Sequence, residues 1–352
     1  MSERSLKVLV VGPFAEGTGA LEGSYEVAFR QEGCQTFRFN MRSVVLRYCR
    51  LGRFGRIFNE FVPVEPWIRK ANRELIVEAN RVSPDLMVVV GSSQVRAGAL
   101  AQILTQVRGL SAVWVWPDTL LNVSEPMINS LPLYDVVAAY SRDAVPKIAC
   151  LGGRSVEWIP LGADPDMHIA RDVKEQGAGD GEYRSDISFI GGWRPERESV
   201  LMEILSRFGD ANVKIWGPDW GRRCKGNKAI LRAWQGRGLF EMEFAKAVAV
   251  SRINLNIIDD TNYPAANMRF FEIPCAGGLQ VCSPCPEMET EFRHGETIFY
   301  YRDKEELTGI IHGIIGDDEL QKKVARAAHD KVMNAHTYRH RVRQILQSVN
   351  RI

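Results

Sequence analysis

Short apolar runs alternate with amphipathic segments along most of this chain. The first run, LKVLVV at 6–11, ends at Gly12 and is typical of a strand buried in a parallel sheet. The segment 68–83, IRKANRELIVEANRVS, has its apolar residues at helical spacing and predicts an amphipathic helix. Further strands are predicted at 35–40, 85–90, 111–116, 135–140 and 155–160. Strands that alternate with helices predict a parallel sheet with helices on both faces.

The same alternation starts again in the second half of the chain. Residues 172–184, DVKEQGAGDGEYR, are glycine-rich and polar, which predicts a loop or linker. Beyond them, strands are predicted at 185–192, 212–217, 252–257, 279–282 and 297–301, and a helical pattern runs from about 317 to 352. We therefore expect two Rossmann-like α/β domains, at 1–165 and 166–336, and a C-terminal helix over 337–352.

Composition supports an ordinary water-soluble protein. The chain has 352 residues, of which 45% are hydrophobic and 25% charged, and this size is enough for two domains. The net charge of +2 argues neither for nor against an anionic partner, and because charges are balanced in each half of the chain, neither half is a nucleic-acid-binding domain by bulk charge. The sequence shows no secretory signal pattern and no apolar run of about 18 residues. Seven cysteines without such a signal predict free thiols and a cytoplasmic location.

The most specific motifs lie between residues 267 and 303. Glu272 lies in a short apolar segment that runs into Gly277 and Gly278, and a strand and then Pro286-Glu287 follow. This order resembles the nucleotide-sugar-binding half of GT-B glycosyltransferases. The closest likeness is to the CgeB-like spore-maturation group, which is akin to glycosyltransferase family 4. The resemblance covers about the last half of the chain.

This resemblance implies a GT-B fold, in which two Rossmann-like domains face a cleft and the C-terminal helix returns to the first domain. It also implies transfer of a sugar from a nucleoside-diphosphate donor, with a UDP-sugar expected, by a retaining and metal-independent mechanism. Two other functions stay open. One is a GT-B-fold sugar-nucleotide epimerase, and the other is a two-lobed binding protein without catalytic activity.

The resemblance also assigns donor-binding residues. Glu272 would accept hydrogen bonds from the ribose hydroxyls, a role that suits a carboxylate. Asn267, Arg269 and Glu272 match an Asn-x-Arg-x-x-Glu pattern of the CgeB-like group, whereas family 4 carries a second Glu where this chain has Pro264. Glu272 would otherwise be a surface glutamate on an amphipathic helix. Arg269 would either contact the diphosphate or pair with Glu272, which lies on the same helical face.

Other positions complete the predicted donor site. Gly277 and Glu287 are assigned to it by the same resemblance. The segment 185–201, SDISFIGGWRPERESVL, predicts a strand, a Gly191-Gly192 turn and a helix that begins at Pro195. Glycines before a helix start allow a phosphate to approach the backbone N–H groups. Arg197 would neutralise the leaving diphosphate, and the alternative is a solvated arginine at the helix start.

The predicted first domain supplies weaker signals. Gly17 and Gly19 lie in a glycine-rich loop after the first strand, where we expect donor phosphate and acceptor to meet. Their spacing also resembles a nicotinamide-dinucleotide loop, but the loop starts late and no acidic residue ends the second strand. Asp118 follows a predicted strand and would be an acceptor-side base or an acceptor-hydroxyl ligand. Its alternative role is to cap the next helical segment.

Two patterns resemble metal sites, but we predict no metal. Asp164 and Asp166 form an Asp-x-Asp motif at the expected domain junction, followed by His168 as a structural or cleft histidine. Three cysteines and a histidine have partial zinc-ligand spacing, and buried free thiols are the alternative. These four residues are Cys275, Cys282, Cys285 and His294.

A basic run marks the predicted acceptor side. Six arginines occur from 38 to 56, with no acidic residue between Gly33 and Asn59. This run predicts an anionic acceptor, which would be a glycan, a protein, a lipid phosphate or a nucleic acid. The alternative is a solvated arginine face held by apolar anchors. The six residues are Arg38, Arg42, Arg47, Arg50, Arg53 and Arg56.

Overall fold

A computed structural model describes residues 5–14, 21–49, 64–91, 94–169 and 181–350. The chain divides into two compact units. The first unit comprises residues 1–160 together with 338–352, and the second unit comprises residues 161–337. The limits expected from sequence, at residues 165 and 336, fall close to these divisions.

The first unit is built on a parallel sheet. Among the described residues this sheet has six strands in the order β2-β1-β3-β4-β5-β6. Buried apolar side chains, many of them valine, fill both faces of its central strands, which explains why these runs are continuously apolar. The strands are β1 (Lys7–Gly12), β2 (Gln35–Asn40), β3 (Leu86–Val90), β4 (Ser111–Trp116), β5 (Val136–Ala139) and β6 (Val156–Trp158).

Helices cover the sheet of the first unit. The predicted amphipathic helix at 68–83 is confirmed as α3, which begins slightly earlier because Pro66 fits its first turn. The described helices that come before the second unit in the chain are α1 (Leu21–Gln31), α2 (Met41–Arg47), α3 (Glu65–Val82), α4 (Ala97–Gln106), α5 (Glu125–Ile128) and α6 (Ala144–Cys150).

The second unit repeats this plan with a parallel sheet of five strands among the described residues, in the order β11-β10-β9-β7-β8. Each strand matches a segment predicted from the apolar pattern, and only β9 extends beyond it, by one residue. The strands are β7 (Ser185–Ile190), β8 (Val213–Trp216), β9 (Ser251–Asn256), β10 (Gln280–Cys282) and β11 (Phe299–Tyr300).

The helices of the second unit lie between and after these strands. The described ones are α7 (Pro165–His168), α8 (Pro195–Arg207), α9 (Trp220–Arg223), α10 (Lys228–Ala233), α11 (Glu241–Val250), α12 (Met268–Cys275), α13 (Lys304–Ile314) and α14 (Asp318–Ala335). No helix in the described part of the chain has both the length and the apolar character needed to cross a membrane.

The strand orders define where ligands are expected. In the first sheet the chain moves from β1 to opposite sides, to β2 and then to β3, and in the second sheet it moves from β7 to β8 and then to β9. Ligands of open parallel sheets bind beyond the carboxyl ends of the strands at such switch points. The carboxyl ends of β1, β3, β7 and β9 are therefore the positions to search for a site.

The predicted return of the C-terminal helix to the first domain is confirmed. This helix, α15 (Tyr338–Val349), packs against α1, and the rings of Tyr338 and Tyr25 lie 5.2 Å apart. Val342 and Ile345 are fully buried in the core of the first unit. At the rim, Glu32 of the segment after α1 forms ion pairs with arginines of α15, which also lower the pKa of its carboxyl against the opposing effect of burial.

Candidate nucleotide site

The helix α12, which carries Glu272, starts at the carboxyl end of β9. Asn267 caps the helix by accepting a hydrogen bond from the Phe270 N–H at 3.1 Å. Its side-chain amide also exchanges two hydrogen bonds, of 2.8 and 3.1 Å, with that of Asn256, the last residue of β9. This amide pair fixes the helix start at the ligand edge of the second sheet, close to the switch point.

Glu272 is a buried ionised carboxylate and not a surface glutamate. The residue is only 1% exposed, and its carboxylate forms ion-pair contacts with the Arg269 guanidinium and, at 3.5 Å, with Nε2 of His168. Burial by itself raises the pKa of Glu272, but Arg269 and His168 outweigh it, so the pKa lies below its ordinary value. The alternative of a solvated helix-face residue is therefore wrong.

The partners of Glu272 are themselves held in place. Nδ1 of His168 accepts a hydrogen bond from the Asp164 N–H at 3.2 Å, so the ring proton of neutral His168 lies on Nε2 and faces Glu272. The ring of Phe244 packs edge-on against His168 and lies 4.1 Å from the Arg269 guanidinium carbon. Phe244 therefore positions both partners of the carboxylate.

Asp164 and Asp166 belong to a helix start. Asp164 is the N-cap of α7, and its carboxylate accepts a hydrogen bond from the Asp166 N–H at 3.0 Å. Among the described residues, no group of three or more His, Cys, Asp or Glu side chains has the arrangement of a metal site. The Asp-x-Asp spacing is thus explained by capping, which also brings His168 to Glu272.

The cysteine pattern is explained by burial of the thiols. Cys275, Cys282 and Cys285 are buried free thiols, and burial raises the pKa of each of them. Nδ1 of His294 accepts a hydrogen bond from the Tyr300 N–H at 3.1 Å, so that ring nitrogen is already occupied.

The Gly191-Gly192 turn lies between the end of β7 and the start of α8. A Cβ atom on Gly191 would lie 2.9 Å from the Phe189 ring, and one on Gly217 only 1.9 Å from the Gly191 carbonyl oxygen. The backbones of the β7 and β8 ends therefore approach so closely that Gly217, at φ +145°, must lack a side chain. The N–H groups of Gly191 and of the residue after Gly192 already donate to carbonyl oxygens at the end of β8 and just beyond it, at 2.9 and 3.1 Å.

Arg197 links the ends of the two strands at the switch point. Its guanidinium donates to the Gly192 carbonyl at 2.9 Å, to the Ile257 carbonyl at 3.3 Å and to the Asp259 carboxylate at 2.7 Å. Its side chain is 14% exposed, so the alternative of a solvated arginine at the helix start is wrong.

Charges of both signs surround Arg197. Burial lowers the pKa of Arg197, Asp259 and Glu196 oppose this shift, and the nearby guanidiniums of Arg194 and Arg269 lower it further. The start of α8 has no side-chain cap, and its first turn carries two glutamates. Three guanidiniums nevertheless lie close enough to affect one another at one edge of the second sheet, a set that we call the arginine cluster (Arg194, Arg197 and Arg269).

Two further predicted donor residues lie at different places. Gly277 ends α12 in the left-handed region at φ +80°, and its N–H donates to the Pro274 carbonyl at 2.9 Å. It precedes β10 and so lies toward the amino edge of the sheet, and its binding role stays a prediction. Glu287 follows β10 at the carboxyl edge, half-buried, where its N–H donates to the Pro264 carbonyl at 3.4 Å.

In the first unit, the predicted residue Asp118 follows β4 at the ligand edge. Its carboxylate accepts hydrogen bonds from the Thr119 N–H at 2.7 Å and from the Asn122 amide at 2.6 Å. The N-cap of the short helix that follows is Thr119, so Asp118 orders the turn from outside the helix. Gly17 and Gly19 lie outside the described residues.

The sequence analysis missed a second carboxylate at this edge, Glu22. This residue of α1 is 6% exposed, and a Cβ atom on Gly12 would lie 2.3 Å from its Cγ and 3.2 Å from the Val90 carbonyl oxygen. Glu22 thus lies at the switch point between β1 and β3. Burial raises its pKa, against the smaller effect of a backbone hydrogen bond. A glutamate directly after a glycine-rich loop was the signal that could have identified it.

Comparison with known proteins agrees with this architecture. Residues 197–347 match a protein-family model described as glycosyl transferase-like. Similar solved structures include HepE from Anabaena in complex with UDP-glucose, with a TM-score of 0.63, 13% identity, and coverage of 99% of this chain and 100% of that chain. Sucrose-phosphate synthase from Thermosynechococcus elongatus has a TM-score of 0.67 and 11% identity, with 99% of each chain covered.

A glycosyltransferase from Rickettsia africae has a TM-score of 0.66 and 15% identity, with 98% of each chain covered. No curated protein matches the chain in sequence. At these identities the structural likeness shows the fold. The protein has the two-domain GT-B fold, and the predicted fold class is confirmed.

Proposed function

We propose that this protein transfers a sugar from a nucleoside-diphosphate donor to an acceptor, and that the second unit holds the donor. The observation that carries the proposal is the arginine cluster at the switch point of the second sheet, with the ionised carboxylate of Glu272 paired to one of its members. A nucleoside diphosphate has clustered negative charge next to a ribose. The arginine cluster suits the diphosphate, and the carboxylate suits the ribose hydroxyls.

The arginine cluster would stabilise the charge that develops on the leaving diphosphate. Arg197 is fixed by three hydrogen bonds, so it needs little reorganisation when that charge appears. Arg194 is exposed beside the glycine turn and can reach an incoming anion. Because these guanidiniums would meet the charge of the leaving diphosphate, the proposed mechanism needs no metal ion.

Glu272 would orient the nucleoside through its ribose. A carboxylate offers about four acceptor positions, so its contacts with Arg269 and His168 leave positions for ribose hydroxyls, which binding would bring to this buried group. The lowered pKa keeps this acceptor ionised at neutral pH. The proposal therefore assigns Glu272 to donor binding and not to proton transfer.

A UDP-sugar is the proposed donor, because structures of HepE, which has the same fold, contain UDP-glucose or UDP. The relation to the CgeB-like group and to family 4, and with it the retention of configuration, stays a prediction. On the acceptor side we propose Asp118 and add Glu22 as the second carboxylate at the carboxyl edge of the first sheet. The acceptor itself is not assigned.

The test is binding of nucleoside diphosphates to the full chain, measured by thermal shift and calorimetry. A ligand that binds only the folded state stabilises it by about 2.7 kcal/mol at 100 times its dissociation constant. We expect UDP to bind more tightly than UMP, and UMP more tightly than uridine, because the arginine cluster contacts phosphates. Absence of binding by every common nucleoside diphosphate would contradict the proposal.

A matched pair of variants locates the site. Arg194→Gln should weaken UDP binding about tenfold, as expected for loss of one charged hydrogen bond of about 1.5 kcal/mol. Arg207→Gln, which removes an exposed arginine from the other end of α8, should leave UDP binding unchanged. Incubation with UDP-sugars should then release UDP; a UDP-sugar epimer formed without UDP release would favour an epimerase instead.

A further inference from the structure

The first unit contains a cavity whose lining includes Arg38 and Arg47 of the predicted basic run. Arg50, Arg53 and Arg56 of that run lie outside the described residues. The cavity has a volume of about 660 Å³ and lies between the end of the edge strand β2, the helix α2 and the middle of α3. This volume is within the range of about 300–1,000 Å³ that is typical of small-molecule sites. We call it the β2 cavity.

Part of the β2 cavity is apolar. Phe39 and Val44 contribute buried side chains, and the Tyr48 ring lies beside them. Val77 of α3 also lines the cavity and is 69% exposed. A ligand with an apolar portion would cover this side chain and bury it.

The cavity is also lined by four cations and two carboxylates, and several of these charges are already matched. Arg47 pairs with Glu74 at 2.6 Å, so one cation and one carboxylate of the cavity cancel. Arg38 pairs at 2.5 Å with Glu26, and Glu78 pairs at 2.6 Å with an arginine on its own helix that does not line the cavity. The cavity's acidic side chains are therefore both neutralised.

Lys70 and Arg73 supply the remaining charge. They are three residues apart on α3 and so lie on one face of the helix. Within the described part of the chain neither forms an ion pair, and the Lys70 ammonium lies 5.0 Å from the centre of the Tyr48 ring. Two unmatched cations thus stand beside an aromatic and aliphatic surface.

We propose that the β2 cavity binds a small amphiphile with a phosphate monoester head group. At pH 7 such a group carries a charge of about −1.5 to −2, which matches Lys70 and Arg73. The attached apolar portion would pack on Tyr48, Phe39, Val44 and Val77. Both a lipid phosphate and a soluble phosphate ester with an apolar group have this chemistry. The inference does not depend on sugar transfer, because binding can be measured without any nucleotide.

Calorimetry with octyl phosphate, below its micelle concentration, tests the proposal. We expect one molecule to bind per chain, and more tightly than inorganic phosphate or 1-octanol, each of which has only half of the recognised features. In Lys70→Gln/Arg73→Gln the affinity should fall by about tenfold or more through loss of charged hydrogen bonds. The control Arg69→Gln removes a charge from the same helix at a 74% exposed side chain outside the cavity, and its affinity should equal that of the native protein.

The apolar contact needs its own variant. Val77→Ser should weaken octyl phosphate binding while leaving the affinity for inorganic phosphate unchanged. Vesicles that contain phosphatidic acid should displace octyl phosphate if the natural ligand is a lipid, and should not displace it if the ligand is a soluble ester. Absence of octyl phosphate binding, equal affinity for inorganic phosphate, or equal affinity in the double variant and the native protein would each overturn the proposal.

Discussion

Replacing Glu272 by Gln separates the structural role of this residue from its proposed role in binding. The substitution keeps the shape of the side chain and removes its charge. Truncation to Ala would be less informative, because at 1% exposure it would also leave a cavity. In the Gln variant, the amide oxygen can still accept a hydrogen bond from Nε2 of His168. The main loss is therefore the ion pair with Arg269.

The size of this loss follows from burial. Removing one partner of a buried ion pair typically costs about 3–5 kcal/mol. The Arg269 side chain is 27% exposed and can be partly solvated, so we expect a value near the lower limit, about 3 kcal/mol. For a unit of this size each kcal/mol lowers the melting temperature by about 2–4 °C, which predicts a decrease of about 6–12 °C.

Thermal unfolding and UDP titration of the same protein samples provide the assay. At a temperature where the variant is fully folded, UDP binding should weaken by a further 1.5–3 kcal/mol or so, through loss of the charged acceptor for the ribose hydroxyls. The matched control is Glu203→Gln, which removes a solvent-exposed ion pair on α8. It should change stability by about 1 kcal/mol at most and leave UDP binding unchanged.

The predicted loss of stability and the predicted loss of UDP binding can be refuted separately. A melting temperature equal to that of the native protein would refute the claim that a buried ion pair stabilises this edge of the sheet. Normal UDP affinity in a destabilised but folded variant would refute the ribose assignment alone.

Three further predictions concern other parts of the protein. Donor hydrolysis should continue in EDTA; loss of activity that manganese restores would show that the arginine cluster does not replace a metal. Gly217→Ala should destabilise the second unit by about 3 kcal/mol or more in urea unfolding, because its Cβ would lie 1.9 Å from a backbone oxygen, whereas Gly226→Ala, in open space, should cost under about 0.5 kcal/mol. Since burial raises the pKa of Glu22 in the folded state above 4.5, the folded state binds its proton more tightly and the contribution of Glu22 to stability falls as pH rises. Glu22→Gln should therefore gain stability relative to the native protein between pH 4.5 and 7.5, and a difference independent of pH would contradict this.

The sequence predicted the fold well because the fold depends on patterns that are local. Each apolar run from LKVLVV onward became a strand, since a strand buried on both faces needs continuous apolar residues. The pairing of Arg269 with Glu272 could also be predicted from the sequence, because residues three apart on a helix are neighbours.

Contacts between distant segments could not be predicted in this way. His168 lies more than 100 residues before Glu272, and no local pattern connects them. The glycines next to Glu22 indicate a role for the backbone of that segment. Glu22 itself was not predicted, because its burial depends on the ends of β1 and β3. Gly277 has a left-handed backbone at a helix end, a conformational requirement that favours glycine there, and its binding role stays a prediction.

The position of α15 in the chain has a consequence for biosynthesis. The second unit is continuous in sequence, so all of its described strands can pair before residue 338 leaves the ribosome. The first unit is synthesised earlier, but its core lacks Tyr338, Val342 and Ile345 until α15 emerges. During that interval the apolar face of α1 is exposed, and such surfaces promote aggregation and chaperone binding. A ribosome that stops just before residue 338 would therefore release a folded second unit attached to an incomplete first one.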